Sequence, residues 1–162
     1  FCLSRGLGDV YKRQSLLRNA EGIRALGDRV VVKVPATRDG FAAASALVRD
    51  GATVLVTAVY SVAQALVCAS IGAQYIAPYL GRMRDAGIDG DAVIARMQGM
   101  CAGSDSNVLA ASLRSPDDIT GLRLAGVPYF TAAPDVIEQM LFHGVSDSSA
   151  AEFDAAMVRL GA

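Results

Sequence analysis

"RVVVKVP" at 29–35 is a near-continuous apolar run closed by a proline and interrupted by a single charge. Runs of this kind suit parallel strands buried on both faces rather than half-exposed antiparallel ones. Working outward, similar runs recur as "TVLVTAVY" at 53–60, "QYIAPYL" at 74–80, "NVLAASL" at 107–113 and "VPYFTAA" at 127–133. The stretches between them read as helices, so the chain alternates strand and helix, the signature of βα units around a parallel sheet. About five such units in a row fit either an open doubly wound sheet or part of a (β/α)8 barrel, and periodicity does not choose between them. The chain lacks G-x-G-x-x-G and G-x-x-x-x-G-K-[ST], which removes the best evidence for a nucleotide-binding open sheet.

Several helix ends are legible. Ser115 and Pro116 read as N-cap and first helical residue, Asp117 and Asp118 favour the positive end of the dipole, and Gly126 marks the stop. Pro134 opens "PDVIEQMLFHG", which Gly144 is expected to close. Ser149 and Glu152 have capping-box spacing ahead of a terminal helix in which Phe153, Met157 and Leu160 share one face. "FAAASALVRDG" and "SVAQALVCASIGA" are alanine-rich connections able to pack closely on a sheet, and "SLLRNAEGIRALGD" is the helix ahead of the lysine-bearing strand.

Composition narrows the function. The 162 residues are 52% hydrophobic, enough for a sizeable core in one domain. With 15 basic against 16 acidic side chains there is no charge excess to hold a phosphate backbone, which argues against nucleic acid as a partner. The apolar runs fall well short of the ~20 residues a spanning helix needs, which argues against a membrane. Cys2, Cys68 and Cys101 form neither a C-x-x-C pair nor an even set, so a disulfide scaffold and a zinc site are both disfavoured and a reduced, cytoplasmic setting is expected. A single histidine, His143, excludes a two-histidine metal motif. The first fourteen residues, "FCLSRGLGDVYKRQ", lack both periodicity and the apolar core of a signal peptide. Back-translated in one frame, Ser4 to Gln14 resembles a transposase adaptor used to fragment DNA for sequencing. Residues 1–14 are therefore read as a non-native segment, and 15–162 as the protein domain.

Lys33 is the most unusual residue, because valine flanks it on both sides. Burying an ammonium is costly and is usually answered by a lowered pKa, and a neutral lysine is a nucleophile able to form a Schiff base with a carbonyl. The alternative, a lysine snorkelling from an edge strand, carries about even weight on these arguments. Thr57, Tyr79 and Ser112 are polar groups at comparable places in the later runs, and strand ends of one parallel array converge on one mouth. Arg82 and Arg114 follow closely and suit a phosphate, which arginine grips through directed hydrogen bonds.

Taken together, "VVVKVPATRDGFAAASAL", "TVLVTAVYSVAQAL", "GAQYIAPYLGRM", "NVLAASLRSP" and "APDVIEQM" resemble successive blocks of the small transaldolase family, most closely its fructose-6-phosphate aldolases. The resemblance runs from about 25 to 160. It implies a (β/α)8 barrel acting as a class I aldolase on a sugar phosphate, without metal or organic cofactor. It makes Lys33 the Schiff-base lysine, Tyr79 the acid/base tyrosine acting through a water, Thr57 a holder of that water, and Ser112, Arg114 and Arg82 the phosphate end. Three departures stand out: Arg114 replaces a lysine of the nearer relatives, Gly81 replaces an asparagine, and "AAPDV" stands where "LPLDV" is usual.

The same resemblance implies three strands ahead of the lysine strand, carrying an aspartate, threonine and asparagine positions and a glutamine that have no match here. The expectation is thus an incomplete barrel, about the last five βα units plus a C-terminal helix, inactive as a fragment of an active parent. The intact parent is expected to form a homo-oligomer through the terminal helix. The implied reaction is cleavage of fructose 6-phosphate to dihydroxyacetone and glyceraldehyde 3-phosphate. A transaldolase passing the three-carbon unit to another aldose phosphate, and a non-catalytic sugar-phosphate-binding barrel, are the two rival readings.

Overall fold

The computed structural model describes residues 13–161. The segment 1–14 assigned to an adaptor lies outside the described residues except for positions 13 and 14, and Cys2 lies outside them too. The element order is α1 (Arg13–Arg24), β1 (Val32–Pro35), α2 (Arg38–Arg49), β2 (Val54–Val59), α3 (Val62–Ile71), β3 (Tyr75–Pro78), α4 (Leu80–Asp85), α5 (Gly90–Met100), β4 (Asn107–Leu113), α6 (Pro116–Leu124), β5 (Tyr129–Ala132), α7 (Pro134–Leu141) and α8 (Gly144–Leu160). All five strand runs form strands, each within its expected range.

The strands make one sheet in the order β1-β2-β3-β4-β5, every pair parallel. This order decides between the two architectures that periodicity leaves open. A doubly wound sheet reverses its strand order at a switch point and carries helices on both faces; here the order never reverses. One face meets the helices: Val32, Val34, Val54, Val56, Ile76, Val108 and Ala110 share a single buried cluster with Leu47, Ala65, Cys68, Met97 and Ile119. The other face carries Lys33, Leu55, Tyr75, Ala77, Leu109 and Tyr129 around a cavity of about 360 Å³, which Val31, just ahead of β1, also lines. The fold is a partial (β/α)8 barrel, with helices outside and the second face turned toward the barrel axis.

That face corrects one expectation. The strands are not uniformly buried: in β1 the valines at 32 and 34 are 2% and 1% exposed, whereas Lys33 and Pro35 are half-buried. Helices cover the outer face over β1 to β4 and leave Phe130 and Ala132 of β5 partly buried, while the axial face lines a cavity.

Capping follows the local sequence closely. Ser115 accepts from the Asp118 amide while Asp118 accepts from the Ser115 amide, with Pro116 in the first turn. Ser61 and Gln64 form a second reciprocal box at the start of α3. Gly40 lets α2 approach the end of β1, since a Cβ there would lie 1.9 Å from the Pro35 carbonyl oxygen. The chain departs from expectation at its end. Helix α7 stops at Leu141, and Gly144 opens α8 instead of closing α7. His143 is the N-cap, its Nδ1 accepting from the Val145 amide at 3.3 Å. Ser149 therefore sits inside a running helix, where it has no free amides to cap. Phe153, Met157 and Leu160 share no buried face, for α8 buries none of its residues. The helices α4 and α5, between β3 and β4, carry no distinct signal in the sequence reading. Among the described residues no helix is long and apolar enough to cross a membrane.

Candidate functional site

Strand alternation aims Lys33. With Val32 and Val34 buried against the helices, the residue between them faces the barrel axis. Lys33 pairs with Leu55, and two positions further along the same strands Pro35 pairs with Thr57, which in turn pairs with Ala77. Tyr79 follows β3, bridges to Ala111 of β4 and serves as N-cap of α4.

These placements converge. The Thr57 hydroxyl donates to the Tyr79 Oη at 2.8 Å. The Lys33 Nζ stands 6.0 Å from the centre of the Tyr79 ring, and the Arg82 guanidinium carbon 4.8 Å from the same ring, close enough for cation–π attraction in the second case and at its outer limit in the first. Tyr60 packs edge-on against Tyr79, with centroids 6.2 Å apart and planes at 87°, and so supports the ring from another side. Lys33, Tyr79, Arg82 and Ser112 all line one open cavity of about 350 Å³.

Two backbone irregularities shape its rim. Ala58 and Ser112 have positive φ, 57° and 59°, the only non-glycine residues among those described to do so. Each lies at a break in strand register, between Thr57 and Val59 in one case and between Ala110 and Leu113 in the other. A bulge of this kind re-aims side chains at the end of a barrel strand. In β4 its result is that Ala111, Ser112 and Leu113, three successive residues, all line the same cavity, which regular alternation forbids. An L-residue held near φ 60° costs about 1–2 kcal/mol, a strain typical of functional sites.

Arg114 is arranged differently. Its guanidinium forks onto Asp85, Nη1 to Oδ1 at 2.8 Å and Nη2 to Oδ2 at 2.5 Å, and it does not line the cavity that Arg82 and Ser112 share. The side-chain hydrogen bond between them holds the Asp85 carboxyl below, and the Arg114 guanidinium above, its ordinary range. Gly81 makes room for this fork, since a Cβ there would lie 2.7 Å from the Arg114 Nε and 2.8 Å from the Ser112 carbonyl oxygen. The glycine and the arginine, two separate departures at the sequence level, are thus one steric arrangement.

Three features escape the sequence reading. Thr131, like Lys33, lines both the cavity shared by Tyr79 and Arg82 and the one on the axial face, and the rule that singles out Thr57, a polar residue inside an apolar strand, would have found it. Asp85 gives no signal, because its partner lies 29 residues away. Asp118, read as a helix-dipole residue, is also a buried ion-pair partner of Arg84 at 2.7 Å. Cys68 and Cys101 are free and buried, and burial pushes the Cys68 thiol up to about 12 and raises that of Cys101 as well.

Known proteins resemble this chain over most of its length. The family described as transaldolase/fructose-6-phosphate aldolase matches residues 10–161. A probable transaldolase of Paracoccus denitrificans (strain Pd 1222) is 35% identical over 152 residues, covering 93% of this chain and 70% of the relative. One from Chelativorans sp. (strain BNC1) is 33% identical over 150 residues, 91% of this chain and 69% of that protein. One from Hyphomonas neptunium (strain ATCC 15444) is 35% identical over 148 residues, 90% and 68% respectively.

Proposed function

This chain belongs to the transaldolase/fructose-6-phosphate aldolase family, and from that premise we propose that it carries the Schiff-base half of a sugar-phosphate aldolase site, with Lys33 as the nucleophile. The observation that carries the reading is the convergence of Lys33, the Thr57–Tyr79 hydrogen bond, Arg82 and Ser112 on one cavity at the C-terminal ends of the strands.

The Lys33 amine attacks the C2 carbonyl of fructose 6-phosphate and loses water to give an iminium, an electron sink. The C3–C4 electron pair then moves toward the iminium nitrogen as the C4 hydroxyl gives up its proton. Glyceraldehyde 3-phosphate leaves, and an enamine of dihydroxyacetone stays on Lys33. Protonation at C3 and hydrolysis free dihydroxyacetone. Tyr79 moves these protons through a water, its Oη oriented by the bond that Thr57 donates. Arg82 and Ser112 hold the phosphate, with Arg114 as a second cation beside them, available once it leaves Asp85. In its chemistry the reading uses side chains alone, with no metal or organic cofactor.

A transferase reading is favoured by one observation: the similar proteins are named probable transaldolases. The two share every step up to the enamine, which a transaldolase passes to a second aldose phosphate instead of protonating it. A homo-oligomer belongs to the same proposal, supported by the exposed Phe153, Met157 and Leu160 of α8; a reduced, cytoplasmic setting is supported by the free thiols.

Borohydride reduction of the full-length protein with dihydroxyacetone or fructose 6-phosphate, followed by peptide mass spectrometry, tests the central step. The expected result is a reduced adduct on Lys33, absent in Lys33→Met. A folded protein that binds the sugar phosphate yet traps no adduct would sink the aldolase mechanism and leave a sugar-phosphate-binding barrel. Product analysis with and without an acceptor aldose then separates lyase from transferase.

A further inference from the structure

Asp118 is the only charged side chain that is buried among the described residues, at 5% exposure. A helix cap does not require this. Capping needs one side-chain oxygen near the first-turn amides, and it works at the surface without the desolvation penalty that a buried carboxylate carries. Asp118 divides its two oxygens between two jobs. Oδ2 accepts from the backbone amides of Arg114, at 2.7 Å, and Ser115, at 3.2 Å, gripping the turn that follows the Ser112 bulge. Oδ1 accepts from Nη1 of Arg84 at 2.7 Å, reaching across to α4.

Arg84 is itself held from behind. Its Nη2 donates to both oxygens of Asp91, at 3.1 and 2.8 Å, and its Nε to one of them at 3.2 Å, so the guanidinium plane is locked between α5 and α6. Arg84 lies two residues after Arg82 on the same six-residue helix, and the turn that Asp118 grips begins two residues after Ser112. The clamp Asp91–Arg84–Asp118 therefore ties together the two segments that present Arg82 and Ser112 to the cavity, without touching the cavity itself. Buried carboxylate charge survives here because several donors meet it: burial opposes ionisation, yet the Arg114 amide and the Arg84 guanidinium hold the carboxyl below its ordinary range.

We propose that Arg84 and Asp118 are positioning residues that set the spacing between Arg82 and Ser112, and through it the affinity of the site for the phosphate group of its substrate. The inference rests on the proposed role of Arg82 and Ser112 in holding that phosphate.

The test uses the full-length protein with Asp118→Asn and Arg84→Met. The first keeps the shape of the side chain and removes its charge. The second cuts the tie to α4 while leaving Asp118 its backbone donors, and it decides the matter alone where Asp118→Asn does not fold. Two quantities are read: the half-saturating concentration of inorganic phosphate, fitted from the logarithmic growth of thermal stabilisation with phosphate concentration, and the ratio of Lys33 adduct trapped from fructose 6-phosphate to that trapped from dihydroxyacetone, which has no phosphate. The expected result is a rise of about tenfold in the half-saturating phosphate, the scale of one charged hydrogen bond lost, and a fall in the adduct ratio. Variants that melt earlier but keep the wild-type half-saturating phosphate would overturn the proposal and reduce the clamp to a helix cap. So would a wild-type protein that phosphate does not stabilise. If neither ketone forms an adduct in the wild type while phosphate behaves as expected, the Schiff-base reading falls and the positioning role stands.

Discussion

Replacing Gly81 with alanine poses the local geometry a question whose answer has a sign. Gly81 occupies the second residue of α4, and its φ is not positive. On helix propensity alone, Gly81→Ala should stabilise by about 0.5–1 kcal/mol. The surroundings oppose this. The new Cβ would lie 2.8 Å from the Ser112 carbonyl oxygen and 2.7 and 2.9 Å from Nε and Cζ of Arg114. Carbon and carbonyl oxygen normally approach no closer than about 3.3 Å, so the shortfall is about 0.5 Å. Arg114 is an exposed side chain and can swing away, but the Ser112 oxygen belongs to a strand already bent at φ 59°. Overpacking of this order costs about 1–3 kcal/mol, which outweighs the propensity gain. We expect a net loss of about 1–2 kcal/mol, or roughly 2–8 °C in Tm for a domain of this length. The chain has no tryptophan, so urea and thermal unfolding are best followed by far-UV circular dichroism. Arg114→Ala in the same background apportions the clash. Because the backbone contact remains, Gly81→Ala still destabilises, with a coupling of about 0.5–1 kcal/mol between the two sites. A neutral or stabilising Gly81→Ala would refute the claim that this glycine exists to let β4 and its arginine close over α4.

Tyr79→Phe removes the acceptor of the Thr57 hydroxyl, costing about 1 kcal/mol in stability; on the proposed mechanism Lys33 adducts still form, while turnover drops by about 10²–10⁴-fold, and unchanged turnover would exclude Tyr79 from proton transfer. Ser112→Gly relieves the positive φ and should raise stability by about 0.5–1 kcal/mol, whereas Ser112→Ala should not; both lose the hydroxyl and are expected to bind phosphate more weakly, as titration of the thermal shift by phosphate would reveal. The depressed Asp118 carboxyl carries a pH signature. Since its folded pKa lies below the ordinary 3.8, the stabilisation it provides is complete above that value and is lost as pH falls from 3.8 through the lower folded value. The stability difference between wild type and Asp118→Asn should therefore be constant from pH 5 upward and shrink in acid; a difference that persists unchanged at the lowest pH would rule out the charge as its source.

Much of the molecule is legible in the linear chain, and the reason is locality. Five apolar runs become five strands because β-branched clusters bounded by helix-capping residues leave little choice of period, and Ser115, Pro116 and Pro134 start their helices where the residues themselves supply the cap or the preset φ. The direction of Lys33 is not legible in this way: the residues leave a buried nucleophile and a snorkelling edge lysine about equal in weight, and only the packing of Val32 and Val34 against the helices turns Lys33 to the axial face. A local signal misleads where it has a competitor: Ser149 and Glu152 have the right spacing for a cap, but a chain already helical from Gly144 leaves them nothing to cap.

Tertiary structure alone decided the rest, because it depends on which distant residues are brought into contact. Strand order separated a barrel from a doubly wound sheet, and no stretch of sequence encodes order by itself. The Thr57–Tyr79 bond, the Arg114–Asp85 fork and the Arg84–Asp118 pair join residues 22, 29 and 34 positions apart. The bulge at Ser112 arises from a register break against β5, a property of two strands rather than one. Residue chemistry could therefore nominate Lys33, Thr57, Tyr79, Ser112 and Arg82. That Lys33, Tyr79, Ser112 and Arg82 share one cavity with Thr57 bonded to Tyr79, and that Arg114 turns toward Asp85, had to await the folded chain, since a hydrogen bond or an ion pair exists only at a distance that folding sets.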